Sequence, residues 1–332
     1  MDYILLIIGL VLILAGANYL TDGASAIAKR FGLSDLMVGL TIVAFGTSAP
    51  ELTISMISAA EGSTGMAIGN VVGSNIFNLL GVVGVVALVR PIRVTHGLMV
   101  NEIPLVVLSS VALLAIGCSL WLDGTLPEVS RVDGVLLLLF FLIFMRYVFA
   151  QAKSAIPESD TTVIEKEAEE LSGESVKKRP MAVWRAVVYV VAGLAALIYG
   201  GDLFVDKASA IAASWGVSEA IIGLTIVAAG TSLPELATSV VAAAKGNSDM
   251  AIGNVVGSNI FNVFMVLGCA AVIRPLQFQG IDMTDLLVLT GASLIVWIFG
   301  WMIGDKKITR GEGVVLTAGY IAYLVARVAM AA

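Results

Sequence analysis

Apolar residues run along this chain in long unbroken stretches rather than in alternation. Ten stretches stand out, at 3–28, 35–59, 66–89, 98–120, 132–150, 182–206, 219–244, 250–273, 283–303 and 311–330. About 20 apolar residues are what a helix needs to cross a bilayer, whereas barrel strands are shorter and alternate apolar with polar. A helix satisfies its own backbone in lipid, so the pattern predicts an all-α integral membrane protein with ten transmembrane helices. Composition agrees: 58% of the 332 residues are hydrophobic, 13% are charged and the mean hydropathy is +0.97. A soluble domain cannot bury that much apolar surface.

Charge then orients the spans. With ten spans both termini share a side, and 15 of the 19 Lys and Arg fall on the opposite side, among them Lys29, Arg30, Arg90, Arg93, Lys177, Lys178, Arg179, Lys306, Lys307 and Arg310. The positive-inside rule places both termini outside and the 151–181 loop in the cytoplasm, where its mixed charge reads as a solvated linker. The N-terminus lacks the basic region of a cleavable signal, so the first span is expected to be retained. The net charge of −6 offers no basic surface for nucleic acid. The two cysteines, Cys118 and Cys269, lie in apolar segments and imply neither a disulfide framework nor a metal cluster, and the single His96 sits in a loop.

The polar residues inside the spans are where the chemistry lies. GLTIVAFGTSAPELTIS at 39–55 returns as GLTIVAAGTSLPELATS at 223–239, and MAIGNVVGSNIFN at 66–78 returns unchanged at 250–262. At an offset of 184, 29 of the 42 positions from 37 to 78 are identical. Asp22 faces Asp206 at the same offset. Five spans separate each motif from its copy, so the copies insert with opposite orientation, a plan shared by many secondary transporters. The expected domains are 1–150 (motif region 37–78), the 151–181 linker, and 182–332 (motif region 221–262), two inverted five-helix repeats in which helices 2 and 7 are broken by proline.

Pro50 lacks an N–H and its ring opposes the carbonyl of Gly46, so helix 2 should open and free carbonyls around Ala44–Gly46. Thr47 and Glu51 share a face four residues apart. Carbonyl, hydroxyl and carboxylate oxygens are the donors that hard cations such as Ca²⁺ take. The second copy supplies Ala228, Thr231, Ser232, Pro234 and Glu235. The following spans add Ser74 and Asn78, with their twins Ser258 and Asn262, on helices whose Gly69/Gly73 and Gly253/Gly257 pairs permit close packing. Asn70, Asn75, Asn254 and Asn259 read mainly as interhelical hydrogen-bond partners. Two glutamates place −2 in the membrane, matched by one divalent cation, by two or more monovalent ones, or by two protons. An unloaded, doubly ionised site would be costly there, which gives obligatory counter-transport a physical basis. Asp22, Asp202 and Asp206 lie near span ends, where solvation accounts for them and a vestibule role is the alternative. A lone intramembrane Glu can be structural; two Pro-Glu breaks, each followed by Ser and Asn at matching distances, are hard to explain by packing.

GTSxPE followed by GNxxGSNxxN, present in two inverted copies, resembles the α-repeats of the sodium/calcium exchanger family within the calcium:cation antiporters. The resemblance spans essentially the whole chain, and the short central loop matches its prokaryotic members. It implies Ca²⁺ export driven by Na⁺ influx across a prokaryotic inner membrane, with Ca²⁺ and Na⁺ (or H⁺) as bound, transported ions and no further cofactor. It also implies the ligands: side chains of Thr47, Ser48, Glu51, Ser74, Thr231, Ser232, Glu235 and Ser258, carbonyls of Ala44 and Ala228, and Asn78 and Asn262 completing the centre. Glu51 and Glu235, with Thr47 and Thr231, would hold Ca²⁺. Some relatives carry aspartate where this chain has Asn262, including potassium-dependent ones, so independence from K⁺ is expected. The first and sixth spans would slide across the core to switch access. The expected partners are inorganic cations and membrane lipid, with no nucleic acid and no obligatory protein. A Ca²⁺/H⁺ antiporter on the same scaffold and a cation channel remain as alternatives; an enzyme would lack a nucleophile, a catalytic histidine and any hydrolase motif.

Overall fold

The computed structural model describes the chain apart from residues 120–123, 125, 155–180, 218–221, 223–224, 227, 303–305 and 332, and the side chains of 152–154, 228, 302 and 331. The expected 151–181 linker therefore falls almost wholly outside the described residues, as does much of 219–227 in the seventh expected span.

The described helices are α1 (Asp2–Phe31), α2 (Asp35–Thr47), α3 (Ala49–Glu61), α4 (Thr64–Val89), α5 (Leu98–Gly117), α6 (Arg131–Ser154), α7 (Val183–Ser214), α8 (Leu233–Ala244), α9 (Ser248–Ile273), α10 (Met283–Met302) and α11 (Arg310–Ala331). A short turn, Ala228–Gly230, precedes α8. Eight of these helices are each long and apolar enough to cross a membrane, and α2 with α3 makes a ninth span bent by 45°. The molecule is thus an integral membrane protein built from helices.

α4 and α9 form the centre. Val71, Val72 and Ile76 on one, and Val255, Val256 and Ile260 on the other, are buried, as a helix apolar all round must be when neighbours surround it. Outer helices face lipid instead, as the exposed Leu136, Leu139, Ile143 of α6 and Val187, Val188, Val191 of α7 show.

α1 and α7 have 30 and 32 residues, so at ~1.5 Å per residue they run to about 45 Å and exceed a ~30 Å hydrocarbon core. They cross antiparallel on glycines. A Cβ on Gly16 would stand 2.7 Å from the Gly193 carbonyl, and one on Gly23 would stand 2.7 Å from the Ala186 carbonyl. Without side chains at these positions the two backbones touch.

Two small antiparallel ribbons clamp the ends of the bundle. β1 (Ile92–Arg93) pairs with β4 (Lys307–Ile308), with Ile92 opposite Ile308; β2 (Glu128–Val129) pairs with β3 (Leu276–Gln277), with Val129 opposite Leu276. Beside them, Arg310 donates to the Leu88 and Val89 carbonyls at 3.1 and 3.4 Å, and Arg131 to those of Val272 and Ile273 at 3.2 and 3.3 Å. Each arginine satisfies terminal carbonyls of a central helix and sits at the favourable pole of its dipole. The ends of α4 and α9 are thereby fixed, and with them the residues they carry inward.

Candidate ion site

Helix α2 stops at Ser48, whose backbone (φ −87°, ψ 9°) leaves the helical region, and α3 restarts with Pro50 in its first turn. Proline suits that position because the N–H it lacks would be unpaired there in any case. Ser232 repeats the geometry (φ −95°, ψ 9°) ahead of Pro234. One expectation needs correction: the Ala44 carbonyl is not released. It accepts the Ser48 N–H at 3.0 Å and the Thr47 hydroxyl at 3.4 Å, because that turn closes two residues before proline's missing N–H is felt. What proline removes is a donor to Gly46, and Ala44 would have only its second lone pair to offer. For Ala228 only the backbone turn is described.

Behind each break a glutamate points into the protein, and both Glu51 and Glu235 are 0% exposed. The two motifs exchange hydroxyls. Ser48 Oγ donates to Glu235 Oε1 at 2.8 Å, and Ser232 Oγ donates to Glu51 Oε1 at 3.2 Å. Each glutamate also receives a serine from the central helix of its own half: Ser74 to Glu51 at 3.5 Å and Ser258 to Glu235 at 3.4 Å. Their remaining oxygens, Glu51 Oε2 and Glu235 Oε2, are buried without a hydrogen-bond partner.

Asparagines complete the surround. Asn78 is fully buried with both amide atoms unpaired; Asn262 donates to Asn75 Oδ1 at 3.0 Å and leaves its own Oδ1 unpaired. Thr231 Oγ1, near Glu51, and Asn259 Oδ1 are unpaired as well. Thr47 Oγ1 lies 3.2 Å from Asn254 Oδ1. Around Asn78 and Asn262 the helices widen into π turns, Phe77–Val82 and Asn262–Leu267. Such widenings shift backbone groups out of the regular ladder and recur at functional sites.

Buried polar atoms are ordinarily paired. A cluster of orphaned oxygens, two of them on carboxylates, is therefore a set of acceptors lacking a positive charge. Among the described residues no three His, Cys, Asp or Glu converge, so the donor set is two carboxylates with hydroxyls and amides. Oxygen donors of this kind suit Na⁺ and Ca²⁺ rather than a softer transition metal.

A second layer holds the glutamates. Asn70 donates to the Glu51 carbonyl at 3.1 Å and to Ser55 Oγ at 2.9 Å; Asn254 donates to the Glu235 carbonyl at 3.4 Å and to Ser239 Oγ at 3.0 Å. Asn75 reaches the Asn259 carbonyl at 3.3 Å. Ser55 and Ser239 were not singled out from sequence, although their identity at the repeat offset, four residues beyond each glutamate, is the signal that marks them. Of the packing glycines, Gly253 and Gly257 meet α2 directly, a Cβ on them standing 2.6 and 2.7 Å from the Leu36 and Leu40 carbonyls. Gly69 has only the Ile281 side chain near it among the described residues.

Fold and donor set describe an integral membrane protein with a buried, oxygen-lined candidate cation site to which both sequence copies contribute residues. The sequence profile described as "Sodium/calcium exchanger protein" matches residues 1–150 and 185–329. Among relatives, the chain is 32% identical over 355 residues to the sodium/calcium exchanger MaX1 of Methanosarcina acetivorans, covering 98% of this chain and 97% of that protein. It is 34% identical over 322 residues to the inner membrane protein YrbG of Escherichia coli, covering 96% and 94%. A solved structure of the sodium–calcium exchanger NCX_Mj, soaked with zero Na⁺ and Ca²⁺, superimposes with a TM-score of 0.79 at 30% identity, covering 98% of each chain. The chain belongs to the sodium/calcium exchanger family; it is a membrane antiporter of cations, not an enzyme.

Proposed function

We propose that this protein exchanges Ca²⁺ for Na⁺ by alternating access, as two inverted five-helix repeats (1–150 and 182–332) that together make ten spans. The observation that carries the reading is the crossed arrangement of the two motifs. Each buried glutamate takes a serine hydroxyl from the other half and keeps one oxygen unpaired. Support for the inversion comes from α1 and α7, sequence equivalents that run antiparallel, and from the paired ribbons, in which β1 and β3 are twins. One Ca²⁺ neutralises the two carboxylates, and so do two or more Na⁺. Either load removes the cost of moving a bare −2 through a low-dielectric core, so the loaded protein switches and the unloaded one does not.

The ligands of this cycle are Thr47, Ser48, Glu51, Ser74, Asn78, Thr231, Ser232, Glu235, Ser258 and Asn262, with the Ala44 and Ala228 carbonyls. Neither Asn78 nor Asn262 brings a third carboxylate, which favours operation without K⁺. Both termini lie outside and the 151–181 linker is cytoplasmic, in the inner membrane of a prokaryote.

The test is Ca²⁺ uptake into proteoliposomes loaded with Na⁺, against choline-loaded vesicles and vesicles given only a pH gradient. Uptake that needs internal Na⁺ is the expected result. A proton-coupled cycle is the second reading, because both glutamates are carboxylates that a proton can neutralise, and it predicts uptake driven by the pH gradient alone. Flux with no counter-ion gradient would indicate a channel.

A further inference from the structure

Lys245 opens the turn between α8 and α9 and is exposed, and both its partners belong to α1. Its Nζ lies 2.7 Å from Asp22 Oδ1 and donates to the Asn18 carbonyl at 3.2 Å. Nearby, Asn247 Nδ2 reaches Ser25 Oγ of α1 at 3.5 Å. Asp22, Ser25, Lys245 and Asn247 line a polar cavity of about 730 Å³ on the face that also carries Lys29, Arg90, Arg93 and Lys307.

On that face the core is closed by direct helix contact. Here α2 meets α9 backbone to backbone at Gly253 and Gly257, and Thr47, Gly253, Asn254 and Gly257 are buried. Their twins towards the other face, Thr231, Gly69, Asn70 and Gly73, are half-buried.

At the repeat offset, Asp22 corresponds to Asp206 but Lys245 corresponds to Glu61. Asp206 pairs instead with its own neighbour Lys207, at 2.8 Å. The mirror-image state would set an acid against an acid where the present state has an ion pair. An inverted repeat with identical halves would weight its two access states equally. This difference in charge weights them unequally.

We propose that Lys245 is a positioning residue, an electrostatic latch between core and α1 that holds the Lys29/Arg90 face closed and biases the antiporter toward the state open on the opposite face. The proposal rests on the alternating-access reading above.

The experiment uses the full chain with Cys118→Ala and Cys269→Ala and a reporter, Ser25→Cys, in the cavity. The labelling rate by a membrane-impermeant maleimide is read from that face, and Ca²⁺ uptake verifies each variant's fold. Lys245→Gln is expected to raise the rate about two- to five-fold, the weight of a partly exposed ion pair. Lys245→Glu, which copies Glu61, raises it further, and the swap Asp22→Lys with Lys245→Asp restores the parental rate. High salt raises the rate in the parent but not in Lys245→Gln, since screening acts only where the pair exists. Glu61→Lys, which offers Asp206 a partner, also raises it with Lys245 intact. A rate indifferent to the charge at 245 and to salt, yet still responsive to replacing Na⁺ by Ca²⁺, overturns the latch and leaves alternating access standing. A rate indifferent to the ions in every variant overturns both. Should Lys245→Glu not insert, Lys245→Gln and the salt series decide.

Discussion

The two halves of the site carry the same residues in different company. Glu51 and Glu235 are equally buried and take serine hydroxyls in the same pattern, but the crossed bond to Glu235 is 2.8 Å and that to Glu51 is 3.2 Å. Thr47 is buried against Asn254, whereas its twin Thr231 has an unpaired hydroxyl. A similar contrast recurs towards the bundle ends. Asp285 of α10 accepts the Tyr323 hydroxyl at 2.7 Å and has the Arg327 Nε at 3.3 Å, while Glu102, near the start of α5, accepts the Tyr147 hydroxyl at 2.9 Å with no cation beside it among the described residues. Duplication preserved the residues of the candidate site, and the departures from symmetry lie in what surrounds them. Under the proposed exchange cycle, identity between the halves marks what the ion needs, and divergence marks which state is favoured.

The comparison is tested hardest where the halves are most alike. Glu51→Gln and Glu235→Gln are each expected to reduce exchange to background in the proteoliposome assay while the protein still inserts, since either leaves a single charge against a divalent ion. Near-normal exchange by one of them would show that only one half binds the cation. Next in size is Arg327→Gln, which strands the buried Asp285 carboxylate. Breaking a buried pair costs about 3–5 kcal/mol, and Arg327 is partly exposed, so a loss of about 2–3 kcal/mol is expected, read as a lowered melting temperature in detergent with ion affinity unchanged. Smaller again is the contrast between Ser48→Ala and Ser232→Ala. A hydrogen bond to a charged group contributes about 1.5–3 kcal/mol, so Ser48→Ala should weaken Ca²⁺ binding at least about ten-fold in a calorimetric titration. Ser232→Ala, which loses the longer bond, should weaken it less. Equal losses would mean that the two crossed bonds are equivalent once an ion is bound.

Much of this was legible in the chain because a bilayer makes polar residues expensive. Glu51, Pro50 and Ser74 stand out against apolar neighbours as they never would in a soluble protein, and the repeat turned each suspect position into two. Three things stayed hidden, each for a physical reason. The crossing of Ser48 to Glu235 joins residues 187 apart, and only packing decides which half a hydroxyl serves. The state of the Ala44 carbonyl depends on where the last turn closes, a matter of two residues that the proline's position does not settle. Arg131 and Arg310 look like ordinary interfacial cations in sequence; their work on the ends of α9 and α4 appears only once the ribbons bring them there.

The smallest expected effect lies at Glu102, and it separates two accounts of intramembrane carboxylates. If burial alone made such a residue indispensable, Glu102, only 2% exposed, should be as sensitive as the site glutamates. Its surroundings argue otherwise. Tyr147 donates to Oε1, and Gln151 donates in turn to the Tyr147 oxygen, so the group serves as an acceptor at the end of a short chain. Glutamine has the same shape and keeps a carbonyl oxygen for the Tyr147 hydroxyl. It also removes a charge that has no described cation to face. Glu102→Gln should therefore leave exchange unchanged and shift stability by no more than about 1 kcal/mol, as measured by thermal unfolding in detergent. A large loss of exchange would instead place Glu102 on the ion's route, and intramembrane charge outside the repeated motifs would have to be read as functional too.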